Sequence, residues 1–291
     1  MTAARTKPPM TYFGGKTRLA HRIASLLPRH EHYVEPFCGS LAVLLAKAPS
    51  RLETVSDVDG DLMTFWRVLR DRPADLKRVC ALTPHARAEH QDAFDLVDDE
   101  VDDQDDGDQI DDVDDLERAR RVWVQITQSR GAARTATSSW RSYIDPDGTK
   151  TAMPGYLDGY VARMAAAAAR LHNVSLESRP ALQLIADYGR SSRVLIYADP
   201  PYLGSTRRNR ARYRHEMLDD DQHVALAEAL SRVPAAVVVS GYASPLYDRL
   251  YDGWDRVAIP TSTGQGGTRQ DRTEVLWSNR AISDPQLFAL P

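Results

Sequence analysis

The chain has 291 residues, of which 42% are hydrophobic and 27% charged, and this predicts one large α/β domain with a smaller inserted or appended region. No apolar run approaches the roughly 20 residues that span a bilayer, and residues 1–10 lack the apolar centre of a secretory signal, so we expect a cytoplasmic protein without a membrane partner. The two cysteines, Cys38 and Cys80, stand far apart and without partners at metal-ligand spacing, which argues against a disulfide framework and against a metal site.

The net charge of −4 is very unevenly distributed. Residues 98–115 contain twelve acidic side chains and no lysine or arginine, so the net charge of the rest of the chain is +8. A positive body is what a polyanionic partner requires. The acidic tract cannot bury enough apolar area to offset its ordering entropy, so we expect a disordered loop over 98–115.

The first 72 residues predict half of a doubly wound nucleotide-binding sheet. Leucine and isoleucine at positions 19, 23, 26 and 27 indicate a helix that ends near Pro28. A strand through Tyr33 and Val34, a turn at 36–39 and a helix over 41–48 follow. The next strand, 53–56, ends at an acid, Asp57. Strand, glycine turn, helix and strand with a terminal acid is typical of such sheets.

Residues 73–174 predict a mainly helical insertion. After the acidic tract, Arg130, Arg134 and Arg141 stand among Gly, Ser, Thr and Trp140. This composition suits a nucleic-acid contact surface, and a solvated loop explains it equally well. The apolar spacing and alanine run of 157–171 predict one structural helix.

The sheet resumes in the remaining part, 175–291. The run at 194–198 predicts a central parallel strand covered on both faces, followed by a helix over 219–233 and a buried strand over 235–239. Segments 257–259 and 274–278 predict a closing hairpin at the sheet edge, and we expect the Gly- and Thr-rich residues 261–272 to form a mobile loop.

Directly after the predicted central strand comes the tetrad Asp199, Pro200, Pro201 and Tyr202. Ligands of open α/β sheets bind outside the carboxyl ends of strands, so this tetrad presents hydrogen-bond acceptors and a flat ring where chemistry takes place. An isolated tetrad of this kind could also be a simple turn.

Three further motifs precede the tetrad: residues 12–16 (YFGGK), 35–39 (EPFCG) and 56–59 (SDVD). Together, in this order, the four motifs resemble those of the Dam-type N6-adenine-specific DNA methyltransferases over about 8–72 and 175–280. The resemblance implies a Rossmann-like fold that binds S-adenosylmethionine, an inserted target-recognition region and methyl transfer to the adenine amino group of double-stranded DNA. We expect a monomer on DNA, with a restriction endonuclease as a further partner in the same system.

The resemblance also implies roles for individual residues. The expected cofactor-binding residues are Tyr12, Gly14, Gly15, Lys16, Glu35, Pro36, Phe37, Gly39, Asp57 and Asp199, with Asp59 as a substitute for Asp57 at the ribose. The expected catalytic residues are Asp199, Pro200, Pro201 and Tyr202. The Asp199 carboxylate and the Pro200 carbonyl would accept the hydrogens of the amino group while Tyr202 stacks on the base, which must be flipped out of the duplex. This chemistry requires no metal.

One position departs from the family pattern. The family usually has a second glycine two residues after the first in the cofactor turn, where this chain has Leu41. That glycine permits close packing over the cofactor, so the substitution puts the turn geometry in doubt and predicts weaker cofactor affinity.

The densest basic run, 205–214, follows the tetrad. It contains Arg207, Arg208, Arg210 and Arg212, which we expect to contact the phosphates around a flipped nucleotide, although a solvated arginine loop is the alternative.

Two other functions compete with adenine methylation. Methyl transfer to the N4 amino group of cytosine poses the same chemical problem, although an Asp-headed tetrad favours adenine. The second is a non-catalytic DNA-binding or decoy protein whose acidic tract mimics DNA phosphates. In a milder version, the tract competes with DNA within an active enzyme and tunes its affinity.

Overall fold

A computed structural model describes residues 6–94, 114–132, 134, 138–142, 152–203, 217, 219–265 and 268–282. Within these residues, seven strands form one sheet in the order β3-β2-β1-β4-β5-β7-β6. The first five strands are mutually parallel, and β7 runs antiparallel to both β5 and β6. The strands are β1 His32–Glu35, β2 Leu52–Ser56, β3 Ser175–Glu177, β4 Val194–Ala198, β5 Ala236–Tyr242, β6 Asp255–Gln265 and β7 Thr268–Ser278.

Helices cover both faces of this sheet. Those preceding β3 in the chain are α1 Ala20–Leu26, α2 Ala42–Ala46, α3 Gly60–Asp71, α4 Pro73–Leu82, α5 Arg87–Asp92, α6 Asp115–Gln128, α7 Met153–Val161 and α8 Met164–Leu171. Those following it are α9 Ala181–Tyr188, α10 Asp220–Arg232 and α11 Pro245–Leu250. The result is the predicted doubly wound α/β fold, with a mainly helical segment between β2 and β3.

Strand β4 shows how the sheet divides the core. Successive side chains of a strand point to opposite faces, so Leu195 and Tyr197 pack with the core cluster on one face, which includes α1 to α4 and α6 to α8. Ile196 and Ala198 pack with the cluster on the other face, which includes α9 to α11. All five residues of β4 are buried, as the apolar run predicts.

The helix predicted over 157–171 is wrong in extent, because two helices, α7 and α8, occupy this region. The break lies at 162–163, where the amide of Arg163 donates to the carbonyl of Tyr160, three residues back, as in a tighter 3-10 turn. Buried side chains continue in helical phase across the break, from Leu157 and Val161 to Met164 and Leu171. The hydrophobic pattern therefore contains no sign of the interruption.

The loop predicted over 261–272 is also wrong. Strands β6 and β7 each have 11 residues, and their pairing extends to Gln265 and Thr268. Threonine favours extended backbone, and each strand satisfies the backbone hydrogen bonds of the other, so pairing outweighs the glycines on which the loop prediction rested.

Part of the acidic tract forms ordered structure. Residues 95–113 lie outside the described residues, but the side chain of Asp114 accepts a hydrogen bond from the amide of Leu116, and α6 begins at Asp115. Acidic groups are favourable at the positive N-terminus of a helix, so the last two residues of the predicted disordered loop belong to a helix start.

No described helix combines the length and the hydropathy that a membrane-spanning segment requires.

Candidate active site

A cavity of about 390 Å³ opens beside the carboxyl ends of β1, β2 and β4. Its volume falls within the range of small-molecule sites. Four sequence motifs meet here, because parallel strands end at the same edge of the sheet. The lining residues include, from the sequence motifs, Tyr12, Gly14, Gly15, Lys16, Glu35, Phe37, Gly39, Asp57, Asp59, Asp199 and Pro201. Of the expected cofactor-binding residues, Pro36 does not line the cavity.

The first motif forms a tight turn against the second. The amide of Gly15 donates to the carbonyl of Tyr12 at 3.1 Å, and Gly14 has a φ of 72°, a conformation that glycine adopts without strain. A Cβ atom at Gly15 would lie 3.1 Å from the Tyr12 carbonyl oxygen and 3.2 Å from Ser40 Oγ. The turn delivers Lys16 to the base of the cavity.

Lys16 lies at the centre of a buried charged cluster. Its Nζ donates to Asp199 Oδ1 at 2.6 Å and to the Tyr202 hydroxyl at 2.8 Å, and it lies 3.5 Å from Glu274 Oε1. Burial by itself lowers the pKa of Lys16, but Asp199, Tyr202 and Glu274 outweigh it and raise the pKa well above its usual value. Lys16 is therefore a permanent cation between two carboxylates.

Asp199 follows β4 and is fixed from two sides. Lys16 Nζ and Ser240 Oγ, at 2.6 and 2.8 Å, both donate to its Oδ1 atom. Among the described residues, these contacts leave Oδ2 available to accept further hydrogen bonds. The side chain is 17% exposed and borders the cavity, so a ligand can reach it.

The other three residues of the tetrad differ in whether they line the cavity. Pro201 lines the cavity, whereas Pro200 and Tyr202 are buried and do not. The Tyr202 ring stacks on Tyr242, with 4.3 Å between ring centroids and 13° between planes, and its hydroxyl donates to Glu274 Oε2 at 3.2 Å. Tyr242 therefore covers one face of the Tyr202 ring.

The second motif supplies a buried carboxyl group and a sharp turn. Glu35 accepts a hydrogen bond from the Tyr33 hydroxyl at 2.9 Å, and burial raises the pKa of Glu35 to about 8. Gly39 has a φ of 43°, and a Cβ atom there would lie only 2.9 Å from Cε1 of Tyr12. Glycine is therefore required where the first two motifs touch.

Asp57, at the end of β2, is held by backbone amides. Its two oxygens accept from the amides of Gly39 and Asp59, both at 3.1 Å. Burial, followed by repulsion from Asp59, raises the pKa of Asp57 to about 6. Asp59 caps α3 through the amide of Leu62 and pairs with Arg134, so Asp57 is the better placed acceptor for a ligand.

The arginines expected to contact DNA have different positions. Arg134 is buried and bonded to Asp59, Asp61 and Gln125, which argues against the expected contact with a phosphate. Arg130 is exposed, and Arg141 is half-buried with its guanidinium 5.7 Å from the centre of the Tyr156 ring. Arg207, Arg208, Arg210 and Arg212 lie outside the described residues.

Sequence reasoning missed two parts of the cavity lining, of which one consists of Met217, Gln222, Ala225 and Leu226 and the other lies beside Asp57. Val58 and Leu182, together with Pro180 and Ala181, line the cavity beside Asp57. Val58 and Leu182 are 43% and 45% exposed, unusual for apolar side chains that border a polar site. The only sign of Val58 in the sequence is its position within the motif at 56–59. Leu182 lies on α9, a helix that the sequence pattern did not predict.

Ser240, Tyr242 and Glu274 were also missed. They lie on β5 and β7, distant in sequence from the tetrad that they contact. Within the described part of the chain, no group of three or more His, Cys, Asp or Glu side chains is arranged to hold a metal ion.

A family model described as D12 class N6 adenine-specific DNA methyltransferase matches residues 12–262, most of the chain. The chain belongs to this family. The protein is therefore an adenine-specific DNA methyltransferase, a member of a family whose substrate is DNA and whose reaction needs a methyl donor. The match spans the four motifs and the helical segment between β2 and β3.

A curated relative and two solved structures are similar to this D12 class methyltransferase. A type II methyltransferase, M1.LlaDCHI from Lactococcus lactis subsp. cremoris, is 22% identical over 94% of this chain and 95% of its own length. A precorrin 8W decarboxylase from Methanobacterium thermoautotrophicum has a TM-score of 0.37 and 8% identity, covering 94% of this chain and 99% of its own. A candidate RNA methyltransferase from Pyrococcus horikoshii has a TM-score of 0.35 and 9% identity, covering 90% and 79%.

Proposed function

We propose that this methyltransferase uses S-adenosylmethionine to methylate the N6 atom of an adenine flipped out of double-stranded DNA, with Asp199 as the catalytic residue. The observation that carries the proposal is the position of Asp199. Its carboxylate borders the cavity at the end of the central strand, and Lys16 and Ser240 hold its Oδ1 atom. The Oδ2 atom can then accept a hydrogen bond from the substrate.

The cavity fits the proposed cofactor in its chemistry. Asp57 offers carboxylate oxygens to the ribose hydroxyls, and Val58 and Leu182 offer apolar surface to the adenine ring. Gly15 and Gly39 leave space that a Cβ atom would fill. When bound, S-adenosylmethionine supplies a methyl group on a positively charged sulfur, so this chain needs no covalent nucleophile.

Asp199 and the Pro200 carbonyl act on the adenine by accepting hydrogen bonds from its amino group. The lone pair of the adenine amino nitrogen is delocalised into the ring, which makes it a poor nucleophile. Acceptance of its two hydrogens by Asp199 and by the Pro200 carbonyl favours the form in which the lone pair is available. Lys16 keeps Asp199 oriented, so that the carboxylate stabilises the positive charge that develops on the amine.

Contact with DNA is assigned to basic side chains of the helical segment and of the run that follows the tetrad in the sequence. Arg130 and Arg141 in the helical segment, and the arginines at 207, 208, 210 and 212, are proposed to bind phosphates. The type II methyltransferase named among the relatives supports a further proposal, that a restriction endonuclease with the same recognition sequence accompanies this protein. The enzyme is proposed to act as a monomer.

Substitution of Asp199 tests the proposal. With labelled S-adenosylmethionine and duplex DNA, Asp199→Ala should lower methyl transfer at least about 100-fold, because an acceptor that acts in the transition state is lost. Asp187→Asn, a change at an exposed carboxylate on α9, is the matched control and should retain wild-type activity. Transfer by Asp199→Ala at the wild-type rate would exclude the mechanism.

Two further measurements separate the competing functions. Nucleoside analysis of the modified DNA should show N6-methyladenine, and N4-methylcytosine would instead support the cytosine alternative. Calorimetry should show S-adenosylmethionine binding to the wild-type protein, and its absence would support the decoy alternative.

A further inference from the structure

Glu274, on β7, is a buried carboxyl group that contacts the tetrad although it belongs to none of the four motifs. It is 2% exposed, and its Oε2 atom accepts a hydrogen bond from the Tyr202 hydroxyl at 3.2 Å. Its Oε1 atom lies 3.5 Å from Lys16 Nζ and has no hydrogen-bond partner among the described residues. Burial of an acid with an incompletely bonded oxygen is costly, which argues for a function at this position.

The sheet register explains how Glu274 reaches the tetrad. Tyr242 of β5 and Glu274 of β7 are directly paired across neighbouring antiparallel strands, so their side chains lie on the same face. Tyr242 stacks on the Tyr202 ring while Glu274 bonds to the Tyr202 hydroxyl. The strand pair therefore holds Tyr202 at two points, one on the ring and one on the hydroxyl.

Glu274 is also the second acidic side chain beside Lys16. The ammonium group lies between Asp199, at 2.6 Å, and Glu274, at 3.5 Å. Lys16 Nζ is therefore within ion-pair distance of two acidic side chains. Burial raises the pKa of Glu274 above its usual value. Lys16 lowers this pKa and Asp199 raises it, and the net shift is upward.

We propose that Glu274 is a positioning residue for methyl transfer, which holds the Tyr202 ring and the Lys16 ammonium in the orientation that presents Asp199 to the adenine. The inference rests on the proposed function of Asp199. Glu274 and Tyr202 do not line the cofactor cavity, so we expect the effect on the reaction to exceed the effect on cofactor binding.

The primary test is Glu274→Gln, which keeps the size of the side chain and removes its charge. In single turnover with saturating S-adenosylmethionine and duplex DNA, the rate should fall about 10- to 100-fold, because a small misplacement of a catalytic group has an effect of this size. The calorimetric Kd for S-adenosylmethionine should change less than about threefold, because Glu274 lies outside the cavity. A wild-type rate would overturn the proposal, and so would a rate loss explained by weaker cofactor binding.

A double-mutant cycle with Tyr202→Phe distinguishes positioning from general damage. Because Glu274 contacts the Tyr202 hydroxyl and also Lys16, the double variant should be slower than either single variant but faster than the product of the two losses. Losses that multiply would contradict the proposal. If Glu274→Gln does not fold, Tyr202→Phe alone tests the same contact, and a wild-type rate in that variant would overturn the inference.

Glu177→Gln is the matched control. Glu177, on β3 at the far edge of the sheet, also accepts a hydrogen bond from a tyrosine hydroxyl, that of Tyr188. The single-turnover rate of Glu177→Gln should equal that of the wild type. A wild-type protein that does not methylate adenine would refute the proposed function itself, whereas an active wild type with unchanged Glu274→Gln would refute only this inference.

Discussion

Leu41 shows how a residue with an unfavourable backbone conformation can be retained. It occupies the position where the family usually has glycine, and it adopts a left-handed conformation with a φ of 55°. Such a conformation costs about 1–2 kcal/mol for a residue other than glycine. The side chain is completely buried in the core, which contributes about 1.5–3 kcal/mol. The stabilisation from burial therefore offsets the cost of the left-handed conformation. The turn keeps the backbone conformation that glycine adopts without strain.

Two substitutions at Leu41 test this balance. Both Leu41→Ala and Leu41→Gly should lower the free energy of unfolding by about 2–5 kcal/mol, because each leaves a cavity. The glycine variant should be the more stable of the two by about 0.5–1 kcal/mol, since only glycine relieves the left-handed strain. Urea denaturation measures both values. If Leu41→Ala were more stable than Leu41→Gly, as expected where φ is negative, the strain argument would be refuted.

Asp57 predicts a pH dependence of cofactor binding. Its pKa is raised to about 6, and the ionised form is the better acceptor for ribose hydroxyls. Affinity for S-adenosylmethionine should therefore be constant above this pKa and fall up to about tenfold per pH unit below it. Calorimetry between pH 5 and 8 measures the profile. In Asp57→Asn the affinity for S-adenosylmethionine should be lower, and the fall in affinity at low pH should be absent. If the fall were unchanged in this variant, another group would be its cause.

At the scale of elements, the start of α3 joins the cofactor site to the helical segment. Asp59 caps the helix, and Arg134, which follows α6, pairs with Asp59 and Asp61. Both Arg134 and Asp59 are buried. Removal of one partner of a buried pair leaves an uncompensated charge, which makes this contact important for stability.

Arg134→Ala should lower the free energy of unfolding by about 3 kcal/mol. The exposed residue Arg130 is the control, and Arg130→Ala should change stability by less than about 0.5 kcal/mol. Urea denaturation gives these values. The salt dependence of DNA binding should be unchanged in folded Arg134→Ala protein, and a smaller slope would restore the phosphate-contact interpretation.

Element boundaries show where sequence patterns suffice and where they fail. The strand over 194–198 is confirmed residue for residue, because a strand covered on both faces has a continuous apolar run. The break between α7 and α8 was missed, since the turn at 162–163 does not change the hydrophobic phase. The hairpin of β6 and β7 was predicted, but its extension to Gln265 and Thr268 was missed because each polar strand depends on its partner for backbone bonds.

At the scale of the whole molecule, charge distribution bears on the affinity for DNA. The net charge of −4 becomes +6 when residues 98–113, with ten acids, are removed. These residues precede α6, whose start at Asp114 and Asp115 should be preserved. The deletion therefore tests the acidic tract without removing a described helix.

Deletion of residues 98–113 should strengthen DNA binding and raise activity at low salt, because less acidic charge competes with the phosphates. The difference from wild type should shrink as salt increases. Fluorescence anisotropy with labelled duplex DNA at several salt concentrations measures it. Equal affinities at low salt would show that the acidic tract does not compete with DNA.

The sequence by itself determined the family, the parallel sheet and nearly half of the cavity lining, because glycine turns, strand ends and the tetrad are local patterns with direct structural consequences. The tertiary structure decided which charges meet. It buried Arg134 against Asp59, brought Glu274 to Lys16 and Tyr202, and covered one face of Tyr202 with Tyr242. These contacts join residues far apart in the chain, and their formation depends on strand order and register, which no local pattern specifies.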